Sequence, residues 1–236
     1  QPLPPGAIYN SNRFVLVALL RSLGGEVVDL GIVPDSLEAT RQALREAAAD
    51  NDLIVTSGGV SVGEEDHVRP AVEAEGAIDL WQIAIKPGKP LAHGIVRRPQ
   101  TGGAGVAQGR PADEHGHGQP APGVAQFIGL PGNPVSSFVT FLLFVRPFIL
   151  RMQGVTAVEP KAYAMRADFD LPRPDRRREY LRARINAEGG LDLFPNQSSG
   201  VLTSTVWGDG LIDNLPSHPI TRGDIVRFLP FPDLLS

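Results

Sequence analysis

LIVTSGGVSVGEEDH, residues 53–67, opens on a β-rich apolar run and passes directly into a glycine loop followed by three acids. Leu53 to Thr56 reads as a short strand. Ser57, Gly58 and Gly59 at its end can turn backbone N–H groups toward a phosphate, and Ser61 adds a hydroxyl. Glu64, Glu65 and Asp66 place carboxylates beside such an anion, the donor chemistry of Mg²⁺, with Asp66 the first choice as ligand and Glu64 beside it. A tight turn followed by helix-capping acids would use the same letters. Two further loops follow strand-like runs: IKPGKP at 85–90 and GLPGNPVSS at 129–137. Three such loops in one α/β pattern converge at the carboxyl edge of a sheet, where open α/β folds bind ligands.

The flanking sequence alternates helix and strand. Asn12 to Leu23 has helical apolar spacing and ends at Gly24-Gly25; Glu26 to Val33 then reads as a buried strand. Asp35 or Ser36 caps a helix running to about Ala49, with a capping-box-like spacing from Asp35 to Glu38. A helix over Val68 to Glu75, a strand around Ile78 to Ile85, and strands at Leu91 to Val96 and Val124 to Ile128 come next. Pro134 to Met152 is a long apolar helix with proline in its first turn. The expectation is an α/β domain over residues 1–153, three-layered α/β/α with a mostly parallel sheet. Segment 97–123 is rich in Gly, Pro, Ala and Gln and reads as a flexible insertion, its His115 and His117 included.

Beyond Gly154 the pattern changes. Tyr163 to Leu171, Glu179 to Ile185, Leu191 to Phe194 and Ile225 to Phe228 are short strands, and NAEGG at 186–190 is a hairpin turn. Residues 157–236 therefore read as a small all-β domain, barrel or sandwich. Six arginines fall between Arg173 and Arg184. Alternation puts Arg182 and Arg184 on one face above Tyr180, mostly as a solvated edge.

Composition bounds the function. The 236 residues are 42% hydrophobic and 20% charged, with a formal net charge of −4. Nucleic acid and anionic membrane are not expected partners. No apolar run spans a bilayer unbroken; the longest, Phe138 to Leu150, is interrupted by Arg146 and Pro147. With no cysteine, disulfides and thiol chemistry are excluded, which is compatible with a cytoplasmic location. His67, His93 and His218 form no zinc pattern, and no P-loop, GxGxxG or GxSxG follows a strand. In IKPGKP, Lys86 and Lys89 stand on a loop stiffened by two prolines and suit an oxyanion. In GLPGNPVSS, Gly132 permits backbone approach, and Ser136 lies in a helix first turn that carries partial positive charge. Asp35 is accounted for as a cap worth about 1 kcal/mol.

IYNSN at 8–12, SGGVSVGEED, IKPGKP and GLPGNPVSS, in that order and at about these distances, resemble the molybdopterin molybdenumtransferase family, to which the gephyrin E domain is related. The likeness covers residues 8–153 well and the β domain more loosely. It implies an enzyme of molybdenum cofactor biosynthesis that takes adenylylated molybdopterin and molybdate, cleaves the AMP and uses a divalent metal such as Mg²⁺. By this resemblance Asp35 and Asp66 match acids important for activity. Lys86 and Lys89 match lysines contacting molybdate, and Ser136 a serine of the same anion site. RRREYLR resembles the family's GRxEFxR run and assigns Arg177 to the anion. NQSS at 196–199 resembles an HQxS stretch and assigns Ser199, with Asn196 in place of the usual His. The Ser/Thr-Gly-Asp-Glu stretch that precedes IYxSN in the family, and further N-terminal domains that complete the site across a dimer, are not in these 236 residues. The chain thus reads as a fragment that binds without necessarily turning over. The partners implied are small-molecule substrates, a second copy as homodimer, and a molybdopterin adenylyltransferase. Two alternatives stay open: a scaffold module of the same fold, and an adenylyltransferase-like domain, against which the β domain and KPGKP speak.

Overall fold

The computed structural model describes residues 10–60, 67–99 and 123–236. Helix α1 (Ser11–Ser22) starts at Asn10, whose side chain accepts from the Arg13 N–H. Helix α2 (Leu37–Asp50) is capped by Ser36, not Asp35: the Ser36 hydroxyl accepts from the Ala39 N–H at 3.2 Å. Glu38 turns outward to Arg45 and Arg41, so no capping box forms. Strand β1 (Leu53–Ser57), helix α3 (Val68–Glu75) and strand β2 (Gly76–Trp81) follow. Then come β3 (Ile85–Lys86), β4 (Ala92–Arg97) and β5 (Val124–Leu130).

Four of these strands make the first sheet, in the order β1-β5-β4-β2. β5 is its centre and shows period-two alternation. Ala125 and Phe127 face a core with Leu44, Ala47, Ala71 and Val72 of α2 and α3; Ile128 and Leu130 face a core with Leu16 and Leu19 of α1. The three-layer α/β arrangement is therefore present. The mostly parallel sheet is not: β1-β5 is parallel, whereas β4-β5 and β2-β4 are antiparallel. No helix lies between β2 and β4 to carry a crossover, and strands joined without one run antiparallel.

The buried strand expected over 26–33 does not form. Val28 is 64% and Ile32 74% exposed. Asp29 is the reason: it pairs with Arg13 at 2.8 Å and accepts from the Gly31 N–H, at a left-handed residue of φ +77°. That turn breaks the extended run and holds it against α1. Within the described residues β1 is consequently an edge strand.

Pro134–Met152 is one continuous helical stretch: α4 (Pro134–Thr140), a π-turn over Phe141–Val145, and α5 (Arg146–Met152). Pro147 has no N–H to give, and the Arg146 N–H reaches Phe141 O, five residues back. The stretch is long and apolar enough to cross a membrane, but half of it is buried in the protein. It is a core helix. Arg146, 7% exposed, donates to the carbonyls of Val158 and Ser236, tying the helix to the C-terminus.

The second sheet runs β3-β7-β9-β10-β6, with β8 beside β7. Its new members are β6 (Tyr163–Arg166), β7 (Arg178–Ile185), β8 (Leu191–Leu193), β9 (Gly210–Asn214) and β10 (Ile225–Pro230). The described strands form an open path rather than a closed barrel. The hairpin at 186–190 is present, its Asn186 N–H donating to Gly190 O. β9 has no counterpart among the strands expected from sequence, although GLIDN is buried throughout. Instead of one strand over 78–85, the chain leaves the first sheet at Trp81 and crosses to the second, where β3 pairs in parallel with β7. That crossing positions the site.

Candidate functional site

Three loops and one long helix define the site. At one end, Asn12 on α1 donates from Nδ2 to the Ser57 hydroxyl at 2.7 Å and to the Gly132 carbonyl at 2.7 Å. One amide thereby ties the glycine loop after β1 to the loop that starts α4. Gly58 and Gly59 have φ of +90° and +70°, a left-handed region open to glycine. Gly58 also donates from its N–H to Leu130 O, and a Cβ built on Gly132 would lie 3.6 Å from its Cα. Ser57, Gly58, Gly59 and Gly132 are thus brought together, as the sequence predicts. Asn12 itself, 9% exposed, was not among the predicted site residues. Its sequence signals are its place at the end of the IYNSN run and a polar side chain in an otherwise apolar helix face. Asp35 stands on the surface, with its carboxylate 3.9 Å from His67 Nε2. Ser61, Glu64 and Asp66 lie outside the described residues. Among the described residues no group of three carboxylates or imidazoles forms a metal site, so the described donors alone do not fit Mg²⁺.

At the other end, the 82–91 loop doubles back on itself: Gln82 N–H donates to Leu91 O and Ile83 N–H to Lys89 O. Gly88, at φ +112°, lies directly on α4; a Cβ there would stand 2.5 Å from Thr140 Cγ2. Gly88→Ala should therefore shift the lysine loop off the helix and cost about 2 kcal/mol, combining backbone strain with a steric clash. A melting curve showing no loss would put the loop elsewhere.

β3 brings Lys86 opposite Glu179 of β7. The Lys86 ammonium lies 3.1 Å from Glu179 Oε1 and 3.4 Å from Asp175 Oδ2. Arg177 forks onto Asp175, with Nε 2.9 Å from Oδ1 and Nη2 3.0 Å from Oδ2. That guanidinium, then the Arg177 N–H, holds the Asp175 carboxyl well below the usual carboxylate range. Lys86 and Arg177 therefore converge, but as members of a paired cluster rather than as free cations. Lys89 is exposed and has no carboxylate partner among the described residues.

The α4 start is also partly occupied. Val135 N–H donates to Ser199 O at 3.0 Å, so the 196–199 loop of the β domain sits on the helix N-terminus. Ser136 is only 4% exposed; the Ser137 hydroxyl is buried without a partner among the described residues. Behind that loop lies a correction to the arginine reading. Arg182 is no solvated edge residue but fully buried, because β7 has β8 and β9 as neighbours and the 196–199 loop over it. Its guanidinium donates to Ser204 Oγ, Asn196 O and Ser198 O, and its N–H to Gln197 Oε1. Arg184 instead stacks over Trp207, 4.5 Å from the ring centroid.

Residues 2–151 match the model of the family described as "Probable molybdopterin binding domain". The chain belongs to the molybdopterin-binding domain family. Residues 164–231 match a second model, "MoeA C-terminal region (domain IV)". The molybdopterin-binding domain and its β-rich companion are thus identified independently. A molybdopterin molybdenumtransferase of Haemophilus influenzae is 34% identical over 244 residues, covering 100% of this chain and 53% of that protein. The molybdenum cofactor synthesis protein cinnamon of Drosophila melanogaster is 32% identical, over 93% of this chain and 33% of that one. The chain spans about half or less of the length of these relatives. A crystal structure of a molybdopterin biosynthesis MoeA protein from Pyrococcus horikoshii superposes on 98% of this chain and 50% of its own, with a TM-score of 0.74 at 24% identity. That likeness supports the fold.

Proposed function

We propose that this chain carries the substrate-binding half of a molybdenumtransferase, holding adenylylated molybdopterin at the glycine-loop end and molybdate at the Lys86–Arg177 end. The observation that supports it best is the meeting of Lys86 from the α/β part and Arg177 from the β part on one carboxylate. A dianion needs converging cations and hydroxyls, and no single loop supplies both. Lys86, Lys89, Arg177, Ser136 and Ser199 would together supply these cations and hydroxyls. Ser57, Gly58, Gly59, Ser61 and Gly132 would cradle the pterin and nucleotide phosphates. Asp35 and Asp66 would serve AMP cleavage. A divalent cation such as Mg²⁺ would neutralise the pyrophosphate, with Asp66 and Glu64 as the ligands. The described donors do not form that site, so no step is derived through it. A homodimer, a molybdopterin adenylyltransferase as supplier of the nucleotide and a cytoplasmic setting complete the proposal.

Calorimetric titration of the chain with molybdate tests this reading. Charge-assisted contacts contribute about 1.5–3 kcal/mol each. Lys89→Ala should weaken binding at least tenfold, Arg177→Ala should weaken it as well, and tungstate should compete. Wild-type affinity in Arg177→Ala would remove the β domain from the oxyanion site.

A further inference from the structure

Two of the three cations assigned to the oxyanion, Lys86 and Arg177, are already engaged by an anion of the protein's own. Asp175 presents two oxygens in one plane to the Arg177 fork, as the edge of a tetrahedral oxyanion would, and one of them also faces Lys86. The neighbouring Glu179 is different in kind. Its side chain is 3% exposed, and its second oxygen accepts the Asp175 N–H at 2.9 Å, so it is fixed in the fold. Asp175, Lys86 and Arg177 have side chains 22%, 40% and 34% exposed, within reach of solvent and ligand. Summed over these four groups the formal charge is zero; of the cations assigned to the oxyanion, Lys89 is the one with no carboxylate partner among the described residues.

We propose that Asp175 is an internal competitor for the oxyanion, occupying the Arg177 fork in the empty site and yielding it when the dianion binds. The inference rests on the molybdate reading above. In it, affinity is set by exchange: the Arg177–Asp175 pair opens as the Arg177–oxyanion pair forms, and Asp175 stays nearby as a repelling charge. A repelling carboxylate acts in proportion to ligand charge, so its removal helps a dianion more than a monoanion of the same shape.

Titration of the whole chain with molybdate and with perrhenate, a tetrahedral monoanion, tests this. Asp175→Asn keeps the side-chain oxygen that accepts the Arg177 N–H and loses the charge. It should bind molybdate at least fivefold tighter than wild type and gain less for perrhenate. Equal or weaker molybdate binding would overturn the proposal and leave Asp175 as a residue that positions Arg177. An equal gain for both anions would overturn it too, since a competing charge must scale with valence. Lys89→Ala separates this from the underlying reading. If it weakens molybdate while Asp175→Asn changes nothing, the site stands and the competitor falls. If wild type and Asp175→Asn both give no molybdate signal, the oxyanion site falls and takes the competitor with it. Melting curves of each variant establish that it is folded, and Asp175→Ser carries the test if the Asn variant is not.

Discussion

Arg182→Ala should lower the unfolding free energy by about 3–5 kcal/mol, the largest single-residue effect expected in this chain. Three costs combine. A large, fully buried side chain is replaced by a methyl group, leaving a cavity. The carbonyls of Asn196 and Ser198, on exposed residues, lose their Arg182 donor at a smaller cost, about 1 kcal/mol or less each because water can replace it. Ser204 also loses a donor to its hydroxyl. Against these stands a gain, because Arg182 carries a charge into the interior without a carboxylate partner among the described residues. Burial pulls its pKa down to about 10, so it remains cationic at neutral pH at some expense. The sign follows from linkage: between pH 10 and its unfolded value the folded chain binds fewer protons, and stability rises as that expense is relieved. The loss of packing and of carbonyl donors outweighs this gain at neutral pH. Denaturant unfolding of the variant measures it. A loss below about 1 kcal/mol would mean that the 196–199 loop holds itself. Arg182→Lys keeps the charge but not the fork, and should retain only part of the stability.

Asn12→Ala should produce the second large effect, and mainly on ligand. Its amide is the physical link between the Ser57 hydroxyl and the Gly132 carbonyl, both at 2.7 Å. Removing two hydrogen bonds and leaving the Gly132 carbonyl without this donor costs about 2 kcal/mol. The glycine loop and the α4 start then lose their fixed spacing. A ligand spanning both loops must supply that order itself, so molybdopterin affinity should fall about tenfold or more, since misplacement of binding groups is expensive. Oxyanion binding at the Lys86–Arg177 end should be little changed. Equal losses at both ends would show that Asn12 supports the fold at large rather than the glycine-loop end.

Arg182 and Asn12 share a feature that conceals their contacts at the level of sequence. Each is polar within an element whose other positions announce its packing. Arg182 falls in an arginine-rich run, where the ordinary expectation is a solvated strand edge. Its burial depends on β8, β9 and the 196–199 loop closing over β7, contacts between residues far apart in sequence. Asn12 sits on a helix whose apolar spacing is clear, but what it reaches is Gly132, 120 positions away. The same holds for Lys86. Its basic loop was legible; its partners Asp175 and Glu179 arrive only because β3 leaves the first sheet and joins the second.

Local sequence determined what local physics controls. Helical periodicity placed α1, α2 and the long Pro134–Met152 stretch. Short β-rich runs ending in glycine placed β1 and its loop, and the change of pattern after Gly154 separated a helix-bearing part from a strand-rich one. The three candidate loops were readable because glycine, proline and lysine at strand ends carry their chemistry in the backbone and in short-range geometry. Tertiary structure alone decided which strands pair and in what sense. It left 26–33 outside the sheet, buried Arg182, and neutralised Lys86 and Arg177 on a carboxylate. Those outcomes are set by pairing, burial and charge balance between distant segments. A charge is free or latched according to its neighbours in space, and that neighbourhood exists only once the chain has folded.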